Sequence, residues 1–72
     1  MDRDPDIMKS TMEAVGADCR KLRHEKGLRL KDVAQETGYA VETIQSFERG
    51  RNRNVLILLW YLKNGLQLKW GD

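Results

Sequence analysis

The stretch Leu30-Lys31-Asp32-Val33-Ala34-Gln35-Glu36-Thr37-Gly38-Tyr39-Ala40-Val41-Glu42-Thr43-Ile44-Gln45-Ser46-Phe47-Glu48-Arg49-Gly50 decides the fold. Leu30, Val33, Ala34 and Thr37 recur at helical spacing, and Gly38 ends that run. A second helix starts two or three residues later, with Ile44 and Phe47 facing inward and Val41 nearby, and Gly50 ends it. Two short helices joined by a glycine-led turn form one supersecondary unit, the helix-turn-helix. Gly38 suits the turn because a residue without a Cβ accepts positive φ at little cost. Ala34 is small, as a close helix crossing requires.

Downstream, Gly50-Arg51-Asn52-Arg53-Asn54 reads as a polar, basic loop. Val55-Leu56-Ile57-Leu58-Leu59-Trp60-Tyr61-Leu62 is apolar on every face, and periodicity alone leaves helix and strand open there. Gly65 as terminator and the helical context predict a helix over 55–64, buried on more than one side. Leu66, Leu68 and Trp70 form a short alternating tail.

Upstream, Met12, Val15, Cys19 and Leu22 make one apolar helical face. A capping box at Ser10 and Glu13 and a terminator at Gly27 predict a first helix over 11–26. Pro5 and the aspartates before it read as a flexible segment over residues 1–9, followed by a single domain over 10–72.

The chain has 72 residues, so it holds one domain at most. Cys19 is its single cysteine, which rules out a disulfide within the chain. No apolar run approaches the roughly 20 residues of a membrane span, and no signal peptide is visible. Net charge is only +2, but it is unevenly placed. Residues 1–18 carry five acids and two bases, a balance of −3, and residues 19–72 carry eleven bases and six acids, a balance of +5. The basic skew lies with the ordered part, as a nucleic-acid surface requires.

Leu22-Arg23, Lys26-Gly27-Leu28, Val33-Ala34, Gly38-Tyr39, Thr43-Ile44 and Phe47-Glu48-Arg49-Gly50-Arg51, taken in register, resemble the Cro/phage-repressor helix-turn-helix family. The resemblance covers about residues 12–66. It implies an all-α, compact bundle of four or five helices, the lambda-repressor-like DNA-binding domain. It also implies a cytoplasmic transcriptional regulator of phage, plasmid or bacterial origin, a repressor that binds a palindromic operator in double-stranded DNA as a homodimer.

Roles carry over by position. Val41, Glu42, Gln45 and Ser46 match base-facing positions of the recognition helix. Gln suits adenine N6/N7, Glu suits cytosine N4, and Val suits the thymine methyl. Arg29, Lys31, Thr43, Arg49, Arg51, Asn52 and Arg53 match positions near the sugar-phosphate backbone, which supply affinity without sequence information. Arg23 and Glu48 match a buried structural ion pair. Trp60, Tyr61, Leu68 and Trp70 are the dimer candidates, on the surplus apolar face of helix 4 and in the tail.

Two departures stand out. Leu30 takes the place of a glutamine that contacts DNA in many family members. Arg29 and Ala40 sit where Ser, Thr or Asn usually caps a helix, at a cost of about 1 kcal/mol each. Arg29 also puts positive charge at a helix N-terminus, which a bound phosphate would relieve.

His24 reads as an exposed helix residue and Cys19 as core. No metal-ligand spacing, paired acids, nucleophile beside a base or phosphate loop is present, so the expectation is neither enzyme nor cofactor, metal, membrane or small-molecule binder. The alternative reading is a protein-interaction module of the same fold, an antitoxin or anti-repressor partner, with weak or no DNA binding.

Overall fold

The computed structural model describes residues 5–67, and residues 5–9 by their backbone alone. Among the described residues four helices follow in order: α1 (Pro5–Glu25), α2 (Leu30–Thr37), α3 (Val41–Glu48) and α4 (Val55–Lys63). No strand occurs among the described residues, so the protein is an all-α bundle holding a helix-turn-helix.

The first helix starts earlier than the expected residue 11. Proline is tolerated at a helix's first turn, where its missing N–H has no partner to lose and its φ is already helical. Ser10 and Glu13 therefore lie inside α1 rather than at its cap. The tail residues Leu68 and Trp70 lie outside the described residues.

The helix-turn-helix ends as its glycines require. Gly38 adopts φ 82° and its N–H donates to the Ala34 carbonyl at 2.9 Å, closing α2. After α3, Gly50 adopts φ 77°; its N–H reaches Phe47 O at 3.0 Å, and the Arg51 N–H reaches Ser46 O at 2.9 Å. This six-residue closure turns the chain sharply away from the end of α3.

The helix starts are unequal. Asn54 caps α4, its Oδ1 accepting from the Leu56 and Ile57 amides at 2.9 and 3.2 Å. Ala40 offers α3 no side-chain acceptor. At α2, the Asp32 carboxylate accepts the Arg29 amide at 2.7 Å, and the Arg29 guanidinium lies 3.7 Å from it. That amide, with the adjacent cations, holds the Asp32 carboxyl below its usual range. The expected electrostatic penalty at Arg29 is thus met inside the chain, without a bound phosphate.

Cys19, Val33, Ala34, Ile44, Phe47, Ile57, Tyr61 and Leu66 form the core. Met12, Val15, Leu22, Leu30, Tyr39, Leu58 and Trp60 close over it. Phe47 and Tyr61 stack with ring centroids 6.1 Å apart, and Trp60 meets Tyr61 edge-on at 5.1 Å. Fully burying a side chain of this kind contributes about 1.5–3 kcal/mol, so losing any one of them removes a large part of the small net stability of a domain this size.

The tightest crossing lies at Gly16, where α1 passes over the end of α3, a position the apolar pattern does not mark. A Cβ there would lie 2.7 Å from the Phe47 carbonyl oxygen and closer still to that of Glu48. Gly50 is the reciprocal case, with the Glu13 backbone 2.7 Å from where its Cβ would be. Gly16→Ala should therefore destabilise the fold by about 1–3 kcal/mol through overpacking, outweighing the roughly 1 kcal/mol that alanine gains in helix propensity. Urea unfolding followed by circular dichroism measures the sign; a more stable variant would refute the crossing.

Candidate nucleic-acid interface

α3 has two unlike sides, set by its 3.6-residue repeat. Ile44, Phe47 and Glu48 are buried. Val41, Glu42, Gln45 and Arg49 are exposed, and Thr43 and Ser46 are half-buried on the flanks. The base-facing candidates thus share one outward face, with Ser46 at its margin.

What holds that face in place is polar and buried. Glu48, at the last turn of α3, is 7 % exposed, as is Arg23 of α1. Arg23 Nε donates to Glu48 Oε2 at 2.8 Å, and a terminal guanidinium nitrogen donates to Glu48 Oε1 at 3.0 Å. The remaining terminal nitrogen donates to the Leu28 carbonyl at 3.1 Å, tying in the turn before α2. The Tyr61 hydroxyl of α4 donates to Glu48 Oε2. One carboxylate therefore joins α1, α3 and α4. Among the described residues no buried side-chain nitrogen or oxygen lacks a partner.

The network marks its neighbours electrostatically. The hydrogen bond to Glu48 raises the Arg23 pKa further above its already high value, so the guanidinium stays charged. Burial, then the bond to Glu48, pushes the Tyr61 phenol up. Burial, then the negative charge of Glu48, pushes the Cys19 thiol up to about 12.

The backbone-contact candidates fall into groups. Arg49, with the base-facing candidate Gln45, lines a small cleft together with Arg20, Arg23, Leu30 and Glu48. Arg49 and Arg51 line a wider one against α1. Arg29 and Lys31 are exposed at the start of α2, and Asn52 and Arg53 lie in the loop before α4, outside both clefts. Leu30 is half-buried and packs on the core.

The dimer candidates need correction. Tyr61 is fully buried, because its ring fills the core beside Phe47 and its hydroxyl serves Glu48; it has no surface to offer. Trp60 is half-buried and its Nε1 donates to Glu36 Oε1 at 3.2 Å, linking α4 to α2. The apolar surface that α4 exposes is instead Val55, Leu56, Leu59 and Leu62, at 62, 61, 51 and 36 % exposure. Among the described residues α4 is covered on one side only.

Arg20, Lys21 and His24 also line the wider cleft; sequence reading placed His24 as an exposed helix residue, as found, and did not single out the other two. Their signal was the recurrence of Arg20, Lys21 and His24 on the polar side of α1, opposite Met12, Val15, Cys19 and Leu22, with Asp18 and Glu25 flanking Lys21.

No family model matches the chain, and no solved structure matches it. A curated relative does. It is 36% identical over 52 residues, covering 72% of this chain and 68% of the relative, and is described as "Uncharacterized HTH-type transcriptional regulator y4dJ" of Sinorhizobium fredii (strain NBRC 101917 / NGR234). The chain belongs to the HTH-type transcriptional regulators. That is a family of regulators rather than enzymes. No helix among the described residues is long and apolar enough to cross a membrane.

Glu48→Gln leaves the buried Arg23 guanidinium without its counter-charge and should cost about 3–5 kcal/mol. Tyr61→Phe removes one hydrogen bond to a carboxylate that keeps Arg23, and should cost about 1.5–3 kcal/mol. Urea midpoints rank the two, and an equal or reversed order would show that the ion pair is not the dominant contact.

The raised thiol pKa gives a second test. A group whose folded pKa is raised stabilises the fold fully below its unfolded value, here 9.0, and that contribution fades as pH climbs toward 12. The Tyr61 phenol acts in the same sense. Stability should hold from pH 7 to about 8.5 and fall above it, and Cys19→Ala should flatten the fall. Rapid Cys19 alkylation of the folded protein at pH 8 would contradict the burial.

Proposed function

We propose that the protein is a sequence-specific DNA-binding regulator that acts by occupancy, as a repressor of bacterial, plasmid or phage genes in the bacterial cytoplasm. The observation that carries this reading is the outward face of α3. Val41, Glu42 and Gln45 stand exposed in one row on a helix whose opposite side is fixed by core packing and by the Arg23–Glu48 pair. A short helix with polar and apolar side chains on a rigid outward face fits the major groove. Arg49 and Arg51 at its end, and Arg53 beyond, supply charge for the flanking phosphates.

Leu30 does not take part in base contact in this reading, because its side chain packs on the core. Its place on the DNA falls to Arg29 and Lys31, both exposed at the same helix start.

The regulator binds a palindromic site as a homodimer. The support is the exposed apolar row of α4, Val55, Leu56, Leu59 and Leu62, which a two-fold axis would bury against itself.

Selection of bound sequences from a random DNA pool tests the reading directly. The expected result is a motif with two inverted half-sites. Gln45→Ala should cost about 1–3 kcal/mol and relax preference at one base pair per half-site, and Arg51→Ala should weaken all sequences alike. Recovery of no enriched sequence would sink the proposal and leave the α4 face as the working surface of a protein-interaction module. Leu56→Ser with Leu59→Ser should give a monomer by sedimentation equilibrium, and an unchanged mass would remove the dimer.

A further inference from the structure

We infer that the last two turns of α1 are part of the DNA-contacting surface, with the cleft between α1 and the end of α3 seating a backbone phosphate of the strand that flanks the half-site. The inference rests on the DNA-binding reading above and extends it to residues outside the helix-turn-helix.

Two clefts meet at Arg20, Glu48 and Arg49, which line both. The smaller, about 130 Å³, also takes in Gln45, so it opens beside the outward face of α3. The larger, about 720 Å³, continues away from that face and adds Lys21, His24 and Arg51. A path in which arginines and a lysine outnumber the acids Glu48 and Glu13 therefore runs from the reading face onto α1.

The charges in this path are unspent. Arg20, Lys21, Arg49 and Arg51 converge on the larger cleft. Among the described residues none of the four has an acidic partner within ion-pair distance. Of the two acids that line it, Glu48 is taken up by Arg23, which leaves Glu13 against four cations. Like charges held together repel, and an anion placed among them removes the repulsion.

The backbone positions that carry these cations are held close together. α1 is pressed against α3 at Gly16 and tied to it by the Arg23–Glu48 pair, both close to the cleft. Arg20 and His24 sit one turn apart on α1, about 6 Å along its axis, so the α1 wall of the cleft is extended along the helix.

The shape of the cleft argues for a polymer rather than a small effector. Sites for small molecules enclose most of their ligand, whereas this one is broad and open, with charged side chains around it. A strand backbone passing across it needs no enclosure. Such contacts fix the position of the protein on the duplex and carry no base information.

The test compares the whole protein with Arg20→Ala/Lys21→Ala and with Lys63→Ala, a cation that lines neither cleft, on the selected DNA and on a scrambled duplex. Fluorescence anisotropy gives affinity from 50 to 300 mM salt, and urea unfolding confirms that each variant is folded. Each phosphate contact contributes about 0.9 to the slope of log K against log salt. The double variant should lower that slope by about one to two and weaken both duplexes by the same factor, leaving their ratio unchanged. Lys63→Ala should match the parent. A double variant with the parental slope and affinity overturns the inference while leaving the DNA-binding reading intact. Failure of the parent to bind either duplex overturns both. Saturable binding of inorganic pyrophosphate that the double variant loses, with the DNA slope unchanged, would reassign the cleft to a small anion.

Discussion

Glu48 is the point on which the arrangement of the protein turns. Its carboxylate takes two hydrogen bonds from Arg23 and one from Tyr61, so α1, α3 and α4 meet at one buried charge. Apolar contact is non-directional and tolerates rotation of a short helix in its seat. A bidentate guanidinium–carboxylate pair does not, because both of its hydrogen bonds must align. α3 has only eight residues and no side-chain cap at Ala40, so its own hydrogen bonds set its orientation weakly. The buried pair compensates at the other end of the helix. Its value lies in fixing that orientation more than in net stability, since desolvating the two charges cancels much of their attraction.

The steric partner of this interaction is Gly16. The absence of a side chain there lets the backbones of α1 and α3 touch, which brings Arg23 within reach of Glu48. Gly50 repeats the arrangement from the other side, against Glu13. Between these contacts the chain has little freedom, and the loop that follows leaves α3 in a defined direction. α4 then returns Tyr61 to the carboxylate, capped by Asn54 as it starts.

Much of the fold was legible in the sequence. The apolar spacing from Leu30 to Phe47 and the glycines at 38 and 50 locate α2, the turn and α3, because periodicity and positive φ are local properties of the chain. The start of α1 was not, since a proline beside aspartates reads as a breaker and also suits a first turn. Gly16 was invisible because a tight crossing is a relation between two helices. The apolar run of α4 hid its faces for another reason. When every position is hydrophobic, only packing separates Ile57 and Tyr61, which are buried, from Leu56 and Leu59, which are not. The outward row of α3 was readable from helical spacing, but the basic row of α1 acquires meaning only once α3 is laid beside it.

The division of labour on α3 has an evolutionary side. Its packing is borne by Ile44, Phe47 and Glu48, and the residues on its outer face make few demands on the interior. Positions 41, 42 and 45 are therefore open to exchange by single-nucleotide steps with little threat to folding, whereas 16, 23 and 48 are not. A lineage carrying this scaffold can drift through many surface alphabets while its interior stays still. Recoding in such a protein is cheap, and rebuilding it is not.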